Sequence, residues 1–104
     1  MTGGGATGEL RTPFASTAGG VMTDEAGAIT GDLELLTRPG ENGELEALVR
    51  YAGAGEWYTV TGSPVAASAV GEDHGASHEA VLALLTTPGP TQDGNELPAE
   101  LRAR

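Results

Sequence analysis

The chain lacks cysteine and lysine, and each absence removes a class of function. Without cysteine there can be neither a disulfide nor thiolate chemistry, which is typical of a protein of the reducing cytoplasm. Five arginines stand against fifteen acidic residues, so the net charge is −10 and no basic cluster is present. Because binding to nucleic-acid phosphates or to an anionic membrane depends on Lys and Arg, we expect neither nucleic acid nor a membrane as a partner.

Large apolar residues are also scarce. Leu, Ile, Val and Phe together account for 19 of the 104 residues. The longest apolar runs hold about six residues, whereas a helix that spans a bilayer needs about 20. The N-terminal segment has no basic region followed by an apolar one, so we expect no secretory signal and a cytoplasmic location.

The large apolar residues that are present concentrate in the centre of the sequence, between Ile29 and Leu85. This distribution predicts a flexible N-terminal arm over residues 1–20, a single small domain over residues 21–87 and a flexible polar tail over residues 88–104. Because so few large side chains make a thin core, we expect another protein or self-association to supply further burial.

The central segment predicts a β-hairpin, with strands at residues 32–38 and 44–51 joined by a five-residue loop. With Arg38 opposite Glu44, one face is apolar and the other places opposite charges across from each other. The inward pairs in this register are Thr37–Leu45, Leu35–Ala47 and Leu33–Val49. The outward pairs are Arg38–Glu44, Leu36–Glu46, Glu34–Leu48 and Asp32–Arg50.

The flanking segments predict further strands. Residues 56–62 form a third strand with Tyr58 and Val60 inward and Trp57 outward, while the opposite parity would bury Trp57. Residues 21–30 indicate a weak hairpin. Residues 63–70 fit either a helix that starts at Ser63 and Pro64 or a fourth strand, and the sequence leaves both open.

The C-terminal part predicts one helix over residues 77–87. Ser77 is a favourable N-cap, and His78, Val81 and Leu85 lie on one stripe of the helix together with Leu82. The expected fold class is therefore α+β: a small antiparallel meander of three to four strands, with one amphipathic helix packed on it and flexible termini.

The two histidines, His74 and His78, are one helical turn apart, a spacing that zinc-binding helices use. The H-E-x-x-H motif is absent, however, and both Gly75 and Ser77 favour a break before Ser77. We therefore expect His74 in an acidic loop and His78 on the apolar face of the helix. The pair is a weak metal candidate, and a proton switch at His78 is an alternative to simple packing.

No motif predicts catalysis or a cofactor. The chain has neither a G-x-S-x-G nucleophile turn nor a phosphate-binding glycine loop with its lysine. Glu44 and Glu46 fall on the predicted solvent face, where nothing raises a carboxyl pKa. We therefore predict no catalytic residue. The sequence favours a binding protein over an enzyme.

The outer face of the hairpin is the predicted partner site. Leu36, Leu48 and Trp57 make an apolar seam, and Trp is a favoured anchor of protein interfaces. The acidic residues that border this seam are Asp32, Glu34, Glu44 and Glu46. Three functions follow: a non-enzymatic interaction or regulatory module, an acidic neutraliser of a basic partner of the immunity or antitoxin type, and a small metal-dependent enzyme using His74 and His78.

Overall fold

The computed structural model describes residues 8–66 and 73–101. Two long strands form its centre, and short strands and one helix surround them. The strands are β1 (Leu10–Ala15), β2 (Val21–Thr23), β3 (Gly27–Ile29), β4 (Asp32–Pro39), β5 (Glu44–Tyr51), β6 (Tyr58–Thr59), β7 (Val65–Ala66), β8 (Thr91–Gln92) and β9 (Asn95–Glu96), and the helix is α1 (His74–Thr86).

The main sheet is antiparallel, with the order β1-β4-β5-β6 and with β7 paired to the opposite end of β5. Helix α1 packs against β1 and β4 on what we term the inner face of the sheet. Val81 and Leu85 are fully buried there, and each contributes roughly 1.5–3 kcal/mol by leaving water. The fold is α+β, as predicted. No helix in the described parts of the chain is long and apolar enough to cross a membrane.

The β4–β5 hairpin has the predicted faces but not the predicted register. Leu36 lies opposite Leu48 and Arg38 lies opposite Glu46, a shift of two residues from the expected pairing of Arg38 with Glu44. The loop between the two strands is shorter than the expected five residues, because Asn42 adopts a φ of 59° inside it. A shift of two residues preserves the side-chain alternation, so every inward residue remains inward.

The segment expected to be a flexible arm contains β1, which forms one edge of the sheet beside β4. Phe14 packs against the core from this strand. Pro13 argues against a central strand but is compatible with an edge. Ser16 donates its backbone N–H to the Gly31 carbonyl, and by alternation the nitrogen of Pro13 faces away from β4. The edge therefore lacks a donor that a further strand would need.

The segment expected to be a polar tail contains the β8–β9 hairpin. Its turn residues Asp93 and Gly94 have φ values of 54° and 82°, as the two-residue turns of hairpins require. The chain then runs beside β2, where the N–H of Ala99 donates to the Gly20 carbonyl and the N–H of Met22 donates to the Ala99 carbonyl. These contacts attach the segment to the domain up to residue 101, and the prediction for residues 102–104 lies outside the described range.

The remaining predictions are mostly confirmed. The hairpin expected over residues 21–30 is β2–β3. Val60 is fully buried, so the parity with Val60 inward and Trp57 outward is correct. Strand β7 resolves the choice at residues 65–66 in favour of a strand, while residues 67–70 lie outside the described range.

Candidate functional site

Trp57 lies on the outer face of the sheet, the side opposite α1, in contact with two arginines. The guanidinium carbon of Arg50 is 4.4 Å from the centre of the indole ring, and that of Arg11 is 5.6 Å from it. The tryptophan is partly exposed. Both distances fall within the range of cation–π attraction, so the ring is held flat against charged groups rather than inserted into the core.

Arg50 is itself fixed by three hydrogen bonds. Its Nε and Nη2 atoms donate to Oε1 of Glu34 at 2.8 and 2.7 Å, and its Nη1 atom donates to the carbonyl of Ala54 at 2.9 Å. Charge-assisted bonds to a single carboxylate fix the plane of a guanidinium group. The orientation of Trp57 therefore follows from the position of Arg50.

The other ion pairs of the described residues lie on the same face. Arg38 donates to Glu46 at 2.6 Å and lies 3.9 Å from Glu9, which also pairs with Arg11 at 3.2 Å. All arginines in the described part of the chain therefore belong to the outer face, where each has a glutamate partner. Asp32 and Glu44 also lie on this face, so its acidic residues outnumber its arginines.

The apolar part of the outer face is smaller than the sequence predicts. Leu36 is only 3% exposed, and Leu48 opposite it is partly buried. Arg11 lies across from Leu36 on β1, and the aliphatic stem of an arginine covers apolar surface while its charged end stays in water. The expected apolar seam is thus covered at Leu36, and Trp57 with Leu48 is what remains accessible.

A shallow cleft of about 160 Å³ opens beside Leu48 on this face. It has Leu48 and Pro64 as apolar walls, and the remaining lining residues are polar. Those residues are Arg38, Glu46, Thr59 and Ser63. A cleft of this size accommodates a single side chain of a partner, but not a cofactor of several hundred Å³.

The predicted acidic residues do not form one continuous border. Glu34 and Glu46 are engaged with Arg50 and Arg38. Asp32 and Glu44 are exposed, but each begins its strand, and in an antiparallel hairpin the two strand starts lie at opposite ends. Arg11 was not among the predicted site residues because it lies in the presumed arm. Its place in the alternating run LRTPFA is the signal that could have identified it.

Helix α1 begins at His74, three residues earlier than predicted. The side chain of Asp73 caps it by accepting a hydrogen bond from the backbone N–H of Ala76 at 2.8 Å. Asp is as good an N-cap as Ser, and Gly75 is tolerated in the first turn, where few intrahelical bonds depend on it. Ser77 is fully buried inside the helix, so the prediction that it caps the helix is wrong.

Both histidines converge on a single hydroxyl group. Oγ1 of Thr37 lies 3.0 Å from Nε2 of His74 and 2.6 Å from Nδ1 of His78. The other ring nitrogen of His78 is 2.8 Å from Oγ1 of Thr12. The prediction that His74 lies apart from His78 in a loop is therefore wrong. We call these four residues the His–Thr network.

Thr37 and His78 are the buried members of the network, whereas His74 and Thr12 are partly exposed. His78 is 3% exposed. Burial lowers the pKa of His78, with a smaller lowering by the charge of His74 and an opposing effect of Glu79. The described residues contain no group of three or more His, Cys, Asp and Glu that could hold a metal ion. Thr37 was missed because an inward threonine on a strand resembles an ordinary core position, and Thr12 was missed because it lies in the presumed arm.

No protein-family model, curated protein or solved structure matches the chain.

Proposed function

We propose that the protein is a non-enzymatic cytoplasmic interaction module that binds another protein through its outer face. The observation that carries this proposal is the fixed and partly exposed Trp57, stacked on an Arg50 that Glu34 holds in place. Tryptophan and arginine are the residues most enriched among binding anchors, and an anchor that is already ordered loses little entropy on binding.

The charges of the face define the partner. Arg11 and Arg50 beside Trp57 and Arg38 beside the cleft are each paired with a glutamate, so this part of the face offers no unpaired positive charge. A partner surface of low net charge matches it, with an apolar side chain placed in the cleft beside Leu48. A second copy of the chain is a poorer match, since each copy carries a net charge of −10.

A second candidate is supported by that same net charge. An acidic neutraliser would bind a basic partner through exposed carboxylates such as Asp32 and Glu44. Its affinity would fall steeply with added salt, because screening weakens attraction between opposite charges. The leading proposal expects an affinity that changes little between low and high salt, so salt dependence distinguishes the two. A metal-dependent enzyme is disfavoured, because the hydroxyl of Thr37, and not a third metal-ligating side chain, lies within hydrogen-bond distance of the nitrogens of His74 and His78.

Trp57→Ala is the direct test of the interaction face, and Tyr51→Ala is its matched control. Tyr51 is 42% exposed but follows the inward alternation of β5, away from Trp57. Wild-type and variant proteins are used as baits, and the affinity of the recovered partner is then measured by calorimetry at two salt concentrations. We expect Trp57→Ala to weaken binding by about 30-fold or more, the loss typical of an anchor residue, and Tyr51→Ala to leave it unchanged.

The fluorescence of the wild-type protein supplies a second readout that needs no variant. Trp57 is the only tryptophan of the chain, so its emission reports on this face alone. Partner binding should shield it from quenching by acrylamide. Binding with unchanged quenching contradicts the proposal, and it does so even if Trp57→Ala unfolds. With both variants folded, an equal loss of affinity contradicts it as well.

A further inference from the structure

The His–Thr network joins α1 to two strands through polar side-chain contacts. His78 reaches Thr37 on β4 and Thr12 on β1, and His74 reaches the same Thr37 hydroxyl. The buried residues beside it, Val81 and Leu85, carry no hydrogen-bonding groups. These side-chain bonds therefore attach the first turns of α1 to the sheet.

Counting hydrogens shows how many protons the network accepts. A threonine hydroxyl has one hydrogen and two lone pairs, and a neutral imidazole has one donor and one acceptor. With both rings neutral, Thr37 donates to one ring nitrogen and accepts from the other. One proton added to either ring leaves every hydrogen bond in place, because Thr37 then donates to the ring that remains neutral.

A second proton breaks this arrangement. Nε2 of His74 and Nδ1 of His78 are then both N–H donors directed at Oγ1 of Thr37. The hydroxyl hydrogen loses its acceptor, and two cations lie within 3.0 Å of one oxygen. Like charges at such separations repel, and a cation at the buried His78 is costly.

We propose that the His–Thr network is a proton-operated latch, which holds α1 on the sheet while at most one histidine is charged and releases the helix when both are. Release would expose the apolar underside of α1, including Val81 and Leu85, together with the inner face of the sheet. This device is independent of the proposed partner face, because Trp57 lies on the opposite side of the sheet.

Within residues 8–66 and 73–101, no charged group forms an ion pair with the latch histidines. The N-cap Asp73 and Glu79 on α1 are exposed, and Glu79 only partly offsets the effect of burial on the pKa of His78. On β1 and β4 the inward neighbours of Thr12 and Thr37 are Leu10, Phe14, Leu35 and Pro39, which carry no charge. The arginines and glutamates of these two strands point to the outer face.

The direction of the pH effect follows from the lowered pKa of His78. The unfolded chain takes up this proton near pH 6.5, whereas the docked state resists it. The stability of the docked state is therefore complete above pH 6.5 and declines as the pH falls toward the pKa of the docked state. We expect release in the acidic range and not in the alkaline range.

Hydrogen exchange followed by NMR tests the latch. The amides of Val81 and Leu85 in α1 are compared with that of Val49 in β5 at pH 7.5 and pH 5.0, after correction for intrinsic exchange rates. Protection in α1 should fall by about tenfold per pH unit for each proton taken up, while Val49 keeps its protection. An equal loss of exchange protection in α1 and β5 would mean global unfolding and would overturn the proposal.

His78→Gln and His74→Gln are the matched variants, because glutamine keeps hydrogen-bonding capacity but does not titrate. His78→Gln should lose most of the pH dependence in α1, because burial of His78 is its main source, and His74→Gln should lose the part that comes from the second charge. A variant with the wild-type profile contradicts the two-proton mechanism. If His78→Gln does not fold, an NMR titration of the imidazole resonances in the wild-type protein replaces it. A titration midpoint for His78 at or above pH 6.5 would overturn the latch.

Discussion

Glu34 and Glu46 each hold an arginine on the same face of the sheet, but the two pairs differ in exposure. The side chains of Arg50 and Glu34 are 22% and 21% exposed, against 44% and 39% for Arg38 and Glu46. Because water screens the second pair more, the first contributes more to stability. The Glu34 pair also orients Trp57, so this carboxylate acts on both the fold and the proposed binding face.

Glu34→Gln should lower the free energy of unfolding by about 0.5–1 kcal/mol, and Glu46→Gln, as the matched control, by less than about 0.5 kcal/mol. Urea unfolding of both variants measures the difference. The Trp57 emission spectrum should change only in Glu34→Gln, because only that variant loosens the stacked Arg50. A larger loss of stability in Glu46→Gln would contradict this assignment.

At the scale of elements, the C-terminal segment depends on a close approach to Gly19. A Cβ atom at Gly19 would lie 2.5 Å from the carbonyl oxygen of Leu97 and 2.8 Å from that of Glu96. The Glu96 carboxylate accepts the Gly19 N–H at 3.1 Å, and the Thr17 hydroxyl and this N–H together lower the pKa of Glu96. Any side chain at Gly19 must therefore displace the segment that follows β9.

Gly19→Ala should cost about 1–3 kcal/mol, as overpacking against backbone does, and should reduce hydrogen-exchange protection at Ala99 more than at Val49. Gly55→Ala is the control, because no atom lies within 4 Å of its added Cβ and its φ is not positive. We expect the control to stay within about 0.5 kcal/mol of wild type. Equal losses in the two variants would show that the close approach to Leu97 is unimportant.

These elements also show what could be read from the sequence. The faces of β4 and β5 were predictable, because alternation is a local property that a register shift of two residues does not alter. The register of the hairpin was not predictable, since it depends on the positive φ of Asn42 in the loop. The Asp93-Gly94 pair is a hairpin signal that polar composition obscured. The convergence of His74 and His78 on Thr37 joins positions 37 and 41 residues apart, and no local pattern encodes it.

At the scale of the whole molecule, the net charge of −10 dominates the electrostatics. The Cα radius of gyration is 13.3 Å, so at about 10 mM salt, where the screening length is about 30 Å, most carboxylates repel one another across the molecule. At 0.15 M salt the screening length is about 8 Å, and this repulsion is confined to close neighbours. The ion pairs of the residues that the structure describes lie on the outer face and are at least partly exposed, so screening them removes little stability.

The protein should therefore become more stable as salt is added. We expect the melting temperature to rise by about 4–8 °C between 10 and 150 mM NaCl, which corresponds to about 1 kcal/mol for a domain of this size. Thermal unfolding by circular dichroism at pH 7.5 measures the effect. Choline chloride is the control, because general screening predicts the same rise with either cation. A melting temperature that falls with salt would show that the ion pairs of the outer face outweigh the repulsion among the carboxylates.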